Sequence, residues 1–349
     1  MTTTQNMSVV VTTCDGPARQ RAWDAYVGRH PDAGCAHGHE WAAVMRAAFG
    51  HEPLGLIAWR GGEPVGVLPL VLIESRLFGR ALVSSPYLTH GGVLASDESA
   101  AAVLVDAAVD AAGRRRAHYL ELRNLTHHAC PLTTRTRYST LVLDLSPGID
   151  GLWRAMDSNV RRNVRRARDA GLTVTEDRQR LGEFVEINAR NMRRLGTPPH
   201  GRRFFEQVLA HMPDARLLTA WQDDRCVAGM LLIGAGHRLE MPWVAARAED
   251  LHLRPNNLLY WHAMTCACEA GYRVLDFGRS KTESGTWRFK RQHGGAPVQL
   301  HYHYHLHRAR RMPDFDPDNA RFKPLIAAWR RMPMPVVRTL GPRLIAAVP

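Results

Sequence analysis

Hydrophobic and polar positions along this chain switch between a helical and a strand period, and the order of the switches runs through twice. Val9–Thr12 is a β-branched run that predicts an opening strand. Ala18 to about Arg29 has helical spacing, with Trp23 and Tyr26 on one face, and a second helix runs to Phe49 from the entry His37-Gly38-His39-Glu40-Trp41. Strands follow at Gly55–Arg60 and Val65–Ile73 around the turn Gly61-Gly62-Glu63-Pro64, then at Leu82–Tyr87, with a glycine-bearing loop over His90–Leu94. Ser99–Ala112 is an alanine-rich amphipathic helix closed by Gly113 and three arginines. Strands at Tyr119–Arg123 and Ser139–Leu145 complete a mixed α/β layer domain over residues 1–145.

Ser146-Pro147-Gly148 marks a boundary, and the same kinds of element return over residues 146–308. Helices are predicted at Trp153–Ala170, Gly182–Leu195, Arg203–His211 and Asn256–Ala270. Strands are predicted at Leu172–Thr175, Ala215–Gln222, Cys226–Ile233, His237–Ala245, Val274–Phe277 and Val298–Tyr304. The halves match in element order and not in residue identity, so this is no solenoid repeat. Residues 309–349 hold two terminal helices, Asn319–Arg331 and Val336–Ala347, broken by Pro333 and Pro335. Their apolar face (Phe322, Leu325, Ile326, Trp329) is expected to pack back on the first domain.

Charge adds a preference among partners. Of 349 residues, 46 are Lys or Arg against 33 Asp or Glu, a formal net charge of +13. That excess favours nucleic acid, a phosphorylated or nucleotide-linked small molecule, or peripheral contact with a membrane surface. An arginine-rich genome would leave the same imprint. Six cysteines without a CxxC pair read as free thiols in a reducing compartment. The N-terminus lacks a signal-peptide pattern, and no apolar run is long enough to span a bilayer. The expectation is a cytoplasmic protein without a transmembrane segment.

The candidate chemistry gathers after the strand at Val274. Asp276-Phe277-Gly278-Arg279-Ser280 leaves that strand, a polar turn follows through Gly285, and Trp287-Arg288-Phe289-Lys290 comes next. Strand ends that emit an acid, a glycine and an arginine into a loop are where α/β folds build sites. Arg279 suits a bidentate grip on phosphate or carboxylate, with Gly278 and Ser280 beside it. Asp276 is either a base or the structural partner of Arg279, the second reading being favoured. Arg161, Arg165 and Arg168 form one basic stripe on a helix, with Arg162 and Arg166 beside it, suited to a phosphodiester or a diphosphate. Asn256 either caps its helix or presents its amide to a substrate. Trp243 and Tyr260 are core residues that double as candidate substrate platforms. His37, His39 and Glu40 suggest a metal only superficially, since histidines two apart diverge on a helix. His301, His303 and His305 share one strand face, read as polar and half-exposed. No metal site is assigned.

Several segments together resemble the FemAB-like branch of the GNAT acyltransferase superfamily, in particular the FemAB-like proteins associated with exosortase/PEP-CTERM loci. They are Trp153…Asn159-Val160-Arg161-Arg162-Asn163-Val164-Arg165-Arg166, Arg194-Leu195-Gly196-Thr197-Pro198, Pro255-Asn256-Asn257-Leu258-Leu259-Tyr260-Trp261, and Asp276–Lys290. The tail Trp329-Arg330-Arg331-Met332-Pro333…Leu340-Gly341-Pro342 extends the likeness. The resemblance implies two tandem GNAT-like domains, each a mixed, mostly antiparallel sheet flanked by helices. It also implies transfer of an acyl or aminoacyl group to an amine on a peptidoglycan, exopolysaccharide or nucleotide-linked precursor. Phe289-Lys290 matches the family's Phe-Lys pair, whose lysine stabilises the tetrahedral intermediate. No cofactor is required, the donor being aminoacyl-tRNA or acyl-CoA. The chain lacks the long helical arm of some Fem proteins, and it has Arg-Pro-Asn-Asn where a coenzyme A site would carry a glycine-rich loop. Two rival readings are an acyl-CoA-dependent N-acyltransferase and a non-catalytic GNAT pair binding RNA or a nucleotide-sugar.

Overall fold

The computed structural model describes residues 8–75, 78–313 and 322–348. The chain divides into two compact units, one built from the residues up to Arg137 plus Gln299–Met312, the other from Tyr138–Val298 plus the C-terminal segment. The first unit runs β1 (Val10–Thr13), α1 (Pro17–Arg29), α2 (His39–Phe49), β2 (Glu52–Arg60), β3 (Glu63–Ser75), β4 (Gly79–Val83), β5 (Leu94–Ala95), α3 (Glu98–Arg114), β6 (Tyr119–Asn124) and β7 (Thr133–Arg135). The second opens with β8 (Tyr138–Asp144), α4 (Gly148–Ala155), α5 (Ser158–Asp169), β9 (Leu172–Glu176), α6 (Leu181–Leu195) and α7 (Arg202–His211). It continues with β10 (Arg216–Gln222), β11 (Arg225–Ala235), β12 (Arg238–Ala246), α8 (Pro255–Glu269), β13 (Val274–Lys281), α9 (Gly285–Gln292) and β14 (Ala296–Gln299). β15 (His301–Leu306) returns to the first unit, and α10 (Lys323–Arg331) and α11 (Met334–Ile345) to the second.

Each unit is one mixed, mostly antiparallel sheet. The strand orders are β1-β2-β3-β4-β6-β15-β7, with β5 on β3, and β14-β8-β13-β12-β11-β10-β9. One parallel contact recurs in each. Ala81, Leu82 and Val83 of β4 face Tyr119, Leu120 and Glu121 of β6. Arg238, Leu239 and Glu240 of β12 face Val274, Leu275 and Asp276 of β13. In both units an acid of the second strand occupies the last paired position. In both, a helix (α3 or α8) makes the crossover between the parallel strands, as such a connection requires.

α3 buries Ala100, Leu104, Ala108 and Ala111 against Leu56, Leu68 and Leu82 of its sheet. In the second unit α5 contributes Val160, Val164 and Ala167, and α8 Leu259, Ala263 and Ala267, to a core with Leu218, Leu232 and Leu275. α6 brings the fully buried Phe184, which meets Phe205 of α7 edge-on at 5.1 Å. Phe184→Ala should therefore cost about 3–5 kcal/mol in a urea melt, the range for emptying a buried phenyl site.

Three boundaries differ from the sequence expectation. The Ser139–Leu145 strand, assigned to the first domain, pairs with β13 in the second sheet. The Val298–Tyr304 strand breaks at Leu300: β14 stays in the second sheet, and β15 inserts between β6 and β7 of the first. The units have thus traded a strand each, which strand periodicity cannot reveal because it leaves the partner unspecified. The third concerns the terminal helices, which pack on α6 of the second unit rather than on the first domain. Arg193 donates to the Met332 carbonyl (3.0 Å), Trp329 Nε1 donates to the Thr197 carbonyl (3.1 Å), and Arg338 pairs with Glu186 (2.7 Å). The expected start of the first of them, Asn319 to Arg321, and the first seven residues lie outside the described residues.

Candidate active site

Past Asp276, β13 leaves the register it shares with β12, and its pairing with β8 shifts between Asp276 and Arg279. Gly278 sits in that shift with φ +75°, in the left-handed region that favours glycine. The irregularity turns two successive carbonyls, those of Gly278 and Arg279, toward one side chain. Lys290 Nζ donates to the first at 2.8 Å and to the second at 3.1 Å. Gly278→Ala should thus lower the unfolding midpoint by the equivalent of about 1–2 kcal/mol, the cost of that backbone region for a residue with a Cβ.

Lys290 is only 5% exposed. Burial pulls its pKa down to about 8, against an upward pull from the Asp276 carboxylate. Near neutral pH it remains mostly an ammonium. Of its three N–H donors, two are held by backbone, and the third has no hydrogen-bond partner among the described residues.

The helix that carries this lysine is short and fixed at both ends. Ser284 Oγ accepts from Trp287 N at 3.2 Å and caps α9. Phe289 packs edge-on against Tyr260 at 5.0 Å and lies 4.2 Å from the His293 ring. His293 is buried, and burial pushes its pKa down to about 4, so the ring is neutral. Its Nδ1–H donates to the Phe289 carbonyl (2.7 Å), and Nε2 accepts from the Asn257 amide of α8 (3.3 Å). Neither His293 nor Asn257 was a sequence candidate. The available signal was His293 one helical turn after Lys290, with Asn257 adjoining the chosen Asn256.

Asp276 is 1% exposed, and both oxygens of its carboxylate are held. Oδ1 accepts from Thr140 Oγ1 and from the Gly278 amide (2.8 Å), while Oδ2 accepts from the buried Arg238 (3.1 Å). Arg238 is thus a buried cationic partner, reached diagonally across the parallel pair: it stands opposite Val274, while Asp276 stands opposite Glu240. Arg279 is exposed, with its guanidinium over the Tyr138 ring at 4.9 Å. Ser280 is buried, and its hydroxyl has no hydrogen-bond partner among the described residues.

The remaining candidates disperse. Asn256 does not cap α8: the cap position is Arg254, in the left-handed region, with no side-chain cap bond. The Asn256 carbonyl oxygen is buried without a partner among the described residues. Tyr260 is buried between Phe277, Phe289 and His293. Trp243 packs on Phe204 and Phe205 at 5.3 and 5.5 Å, as a core residue does. Arg161 turns back to the carbonyls of Trp153, Arg154 and Met156, closing the end of α4. It is thereby withdrawn from the basic stripe, which Arg162 and Arg165 still expose. His37 is a buried neutral hub, its pKa pushed down to about 3 by burial, and it bonds the Gly92 carbonyl at 3.1 Å, while His39 pairs with Asp24. His303 is fully buried against Asn124, correcting the half-exposed reading, because β15 lies inside its sheet.

In the first unit the matching position is filled. Ser84 Oγ accepts from Arg123 N, the Arg123 carbonyl accepts from Gly91 N, and Asn124 Oδ1 accepts from Val93 N. The loop after β4 thus takes the place along β6 that Lys290 serves along β13. The lysine-bearing geometry belongs to the second unit.

These features define a GNAT-type acyltransferase fold in tandem. Residues 154–291 match the family model of the acetyltransferase (GNAT) domain. The crystal structure of FemX superimposes with a TM-score of 0.67 at 18% identity, covering 85% of this chain and 98% of that one. A tandem GNAT protein from the clavulanic acid biosynthesis pathway follows at TM-score 0.55 and 12% identity, with 86% and 98% covered. The C-terminal domain of a putative lysylphosphatidylglycerol synthetase from Agrobacterium fabrum has TM-score 0.55 and 13% identity, with 82% and 91% covered. No curated protein matches the sequence. The chain shares its fold with FemX and with tandem GNAT proteins.

Proposed function

We propose that the second unit transfers an acyl or aminoacyl group to an amine, forming an amide on a cell-envelope, exopolysaccharide or nucleotide-linked precursor. The observation that carries this reading is the buried Lys290 ammonium, fixed by two carbonyls at the irregularity of β13. The amine nitrogen attacks the donor carbonyl carbon, a C–N bond forms, and the carbonyl electron pair moves to oxygen. A fixed, desolvated ammonium is a strong partner for that oxyanion. Collapse returns the pair, breaks the C–O bond of an ester or the C–S bond of a thioester, and releases the alcohol or thiol. The nitrogen loses its proton to solvent. Asp276 is a poor acceptor for it, since its oxygens already accept from Thr140, Gly278 and Arg238.

Aminoacyl-tRNA is the favoured donor because the start of α8 is poorly equipped for a diphosphate. Pro255 lacks an N–H, and those of Asn257 and Leu258 are directed at the Arg254 carbonyl (3.1 and 3.4 Å). An acyl-CoA donor is the second reading, favoured by the acetyltransferase match over residues 154–291. Offering charged tRNA pools and acyl-CoAs to amine acceptors, with mass shift as readout, separates the two. Product from acyl-CoA alone would overturn the aminoacyl reading. No product from either donor, together with binding of RNA or a nucleotide-sugar, would leave the non-catalytic alternative.

A further inference from the structure

A second feature of the same unit lies outside the Lys290 arrangement. α4, α5 and α8 enclose an open cavity of about 310 Å³. Its apolar wall is Ile149, Trp153, Leu258 and Trp261, and Arg168 stands in its lining. Arg165 lies over the Trp153 ring at 5.7 Å. Arg162 and Arg166 extend the exposed positive face of α5, whose opposite face (Val160, Val164, Ala167) is buried. Among the described residues none of these four arginines has a carboxylate partner. An apolar trough opening beside unneutralised guanidinium groups is complementary to an anionic amphiphile.

We infer that this trough seats one acyl chain of an anionic bilayer lipid, with the arginine face of α5 lying on the headgroup layer. The cavity is at the lower end of ligand pockets in size, enough for one chain segment. Nucleic acid fits the positive face but not the trough. Base stacking needs an open ring face. Trp261 is 7% exposed and meets Trp153 edge-on at 4.7 Å, and Arg165 already covers Trp153. The inference does not depend on the proposed reaction.

The test is co-sedimentation of the full chain with vesicles of phosphatidylcholine containing about 30 mol% phosphatidylglycerol, against phosphatidylcholine alone. Binding is expected only with the anionic vesicles, and it should weaken with salt. Arg165→Ala/Arg168→Ala and, separately, Ile149→Asp should each lower the partition coefficient by at least about tenfold, with circular dichroism unchanged. Should Ile149→Asp unfold the chain, the half-buried Thr265→Asp on the opposite wall serves in its place. Equal binding to both vesicle types, or unaltered binding in either variant, would overturn the assignment. So would tRNA binding that depends on the arginines and is indifferent to Ile149→Asp, accompanied by no vesicle binding.

Discussion

Lys290→Met should reduce amide-forming turnover by at least about 10²–10³-fold, the usual loss when a single oxyanion donor is removed. Its fold should survive. The methionine fills much the same volume without a charge, and among the described residues the Gly278 and Arg279 carbonyls lose a donor. Stability supplies an independent readout with a defined sign. Burial lowers the lysine pKa to about 8 from an ordinary value of 10.5, so the buried charge disfavours the fold most fully below pH 8. That penalty is relieved as pH rises from about 8 to 10.5, because there the unfolded chain binds more protons. The wild type should therefore gain on Lys290→Met in urea midpoint across that interval. Turnover should move the other way, declining as the wild-type ammonium titrates near pH 8. Lys290→Arg should keep a residual rate whose basic limb is lost, since arginine stays charged. A Lys290→Met enzyme with full activity would remove the oxyanion role.

The sequence made the elements legible and the partnerships much less so. Periodicity located the strands over Ser139–Leu145 and Val298–Tyr304, yet pairing is decided by which sheet edge is open in three dimensions. That is why β8 and β15 were placed in the wrong units. The arginine stripe was a sound reading of a continuous helix over Trp153–Ala170. The chain breaks at Met156–Asp157, where Asp157 caps α5 through the Asn159 amide, and the break lets Arg161 turn back onto α4. An acid followed by serine was a visible capping signal there. Lys290 came from the family resemblance, as nothing in composition marks one lysine as buried. Arg238 lies 38 residues from Asp276 and becomes its neighbour only through the parallel register. Asn257 and His293 join α8 to α9 by a contact that no helix periodicity encodes.

The Asp276–Arg238 pair is where the largest change in stability is expected. Both residues are almost wholly buried, 1% and 5% exposed, so removing one charge strands the other. Arg238→Met and Asp276→Ala should each cost about 3–5 kcal/mol by chemical denaturation, the range for breaking a buried ion pair. Asp276→Asn is the more informative variant. Its carbonyl oxygen can keep the bonds from Thr140 and Gly278, both made to Oδ1, but its NH₂ then faces the Arg238 donor that Oδ2 accepts in the wild type. A structural role predicts lost stability, with turnover recovered at a temperature where the variant is folded. Combining Arg238→Met with Asp276→Leu should restore much of the stability, because the pair is replaced by apolar side chains, although the buried Lys290 ammonium loses the support of the carboxylate. If Asp276 instead removes the proton from the attacking amine, Asp276→Asn will stay inactive even when fully folded. The double variant will then be stable and equally inactive. Unfolding and turnover measured on the same four variants therefore decide between a carboxylate that holds the end of β13 in shape and one that takes part in the transfer.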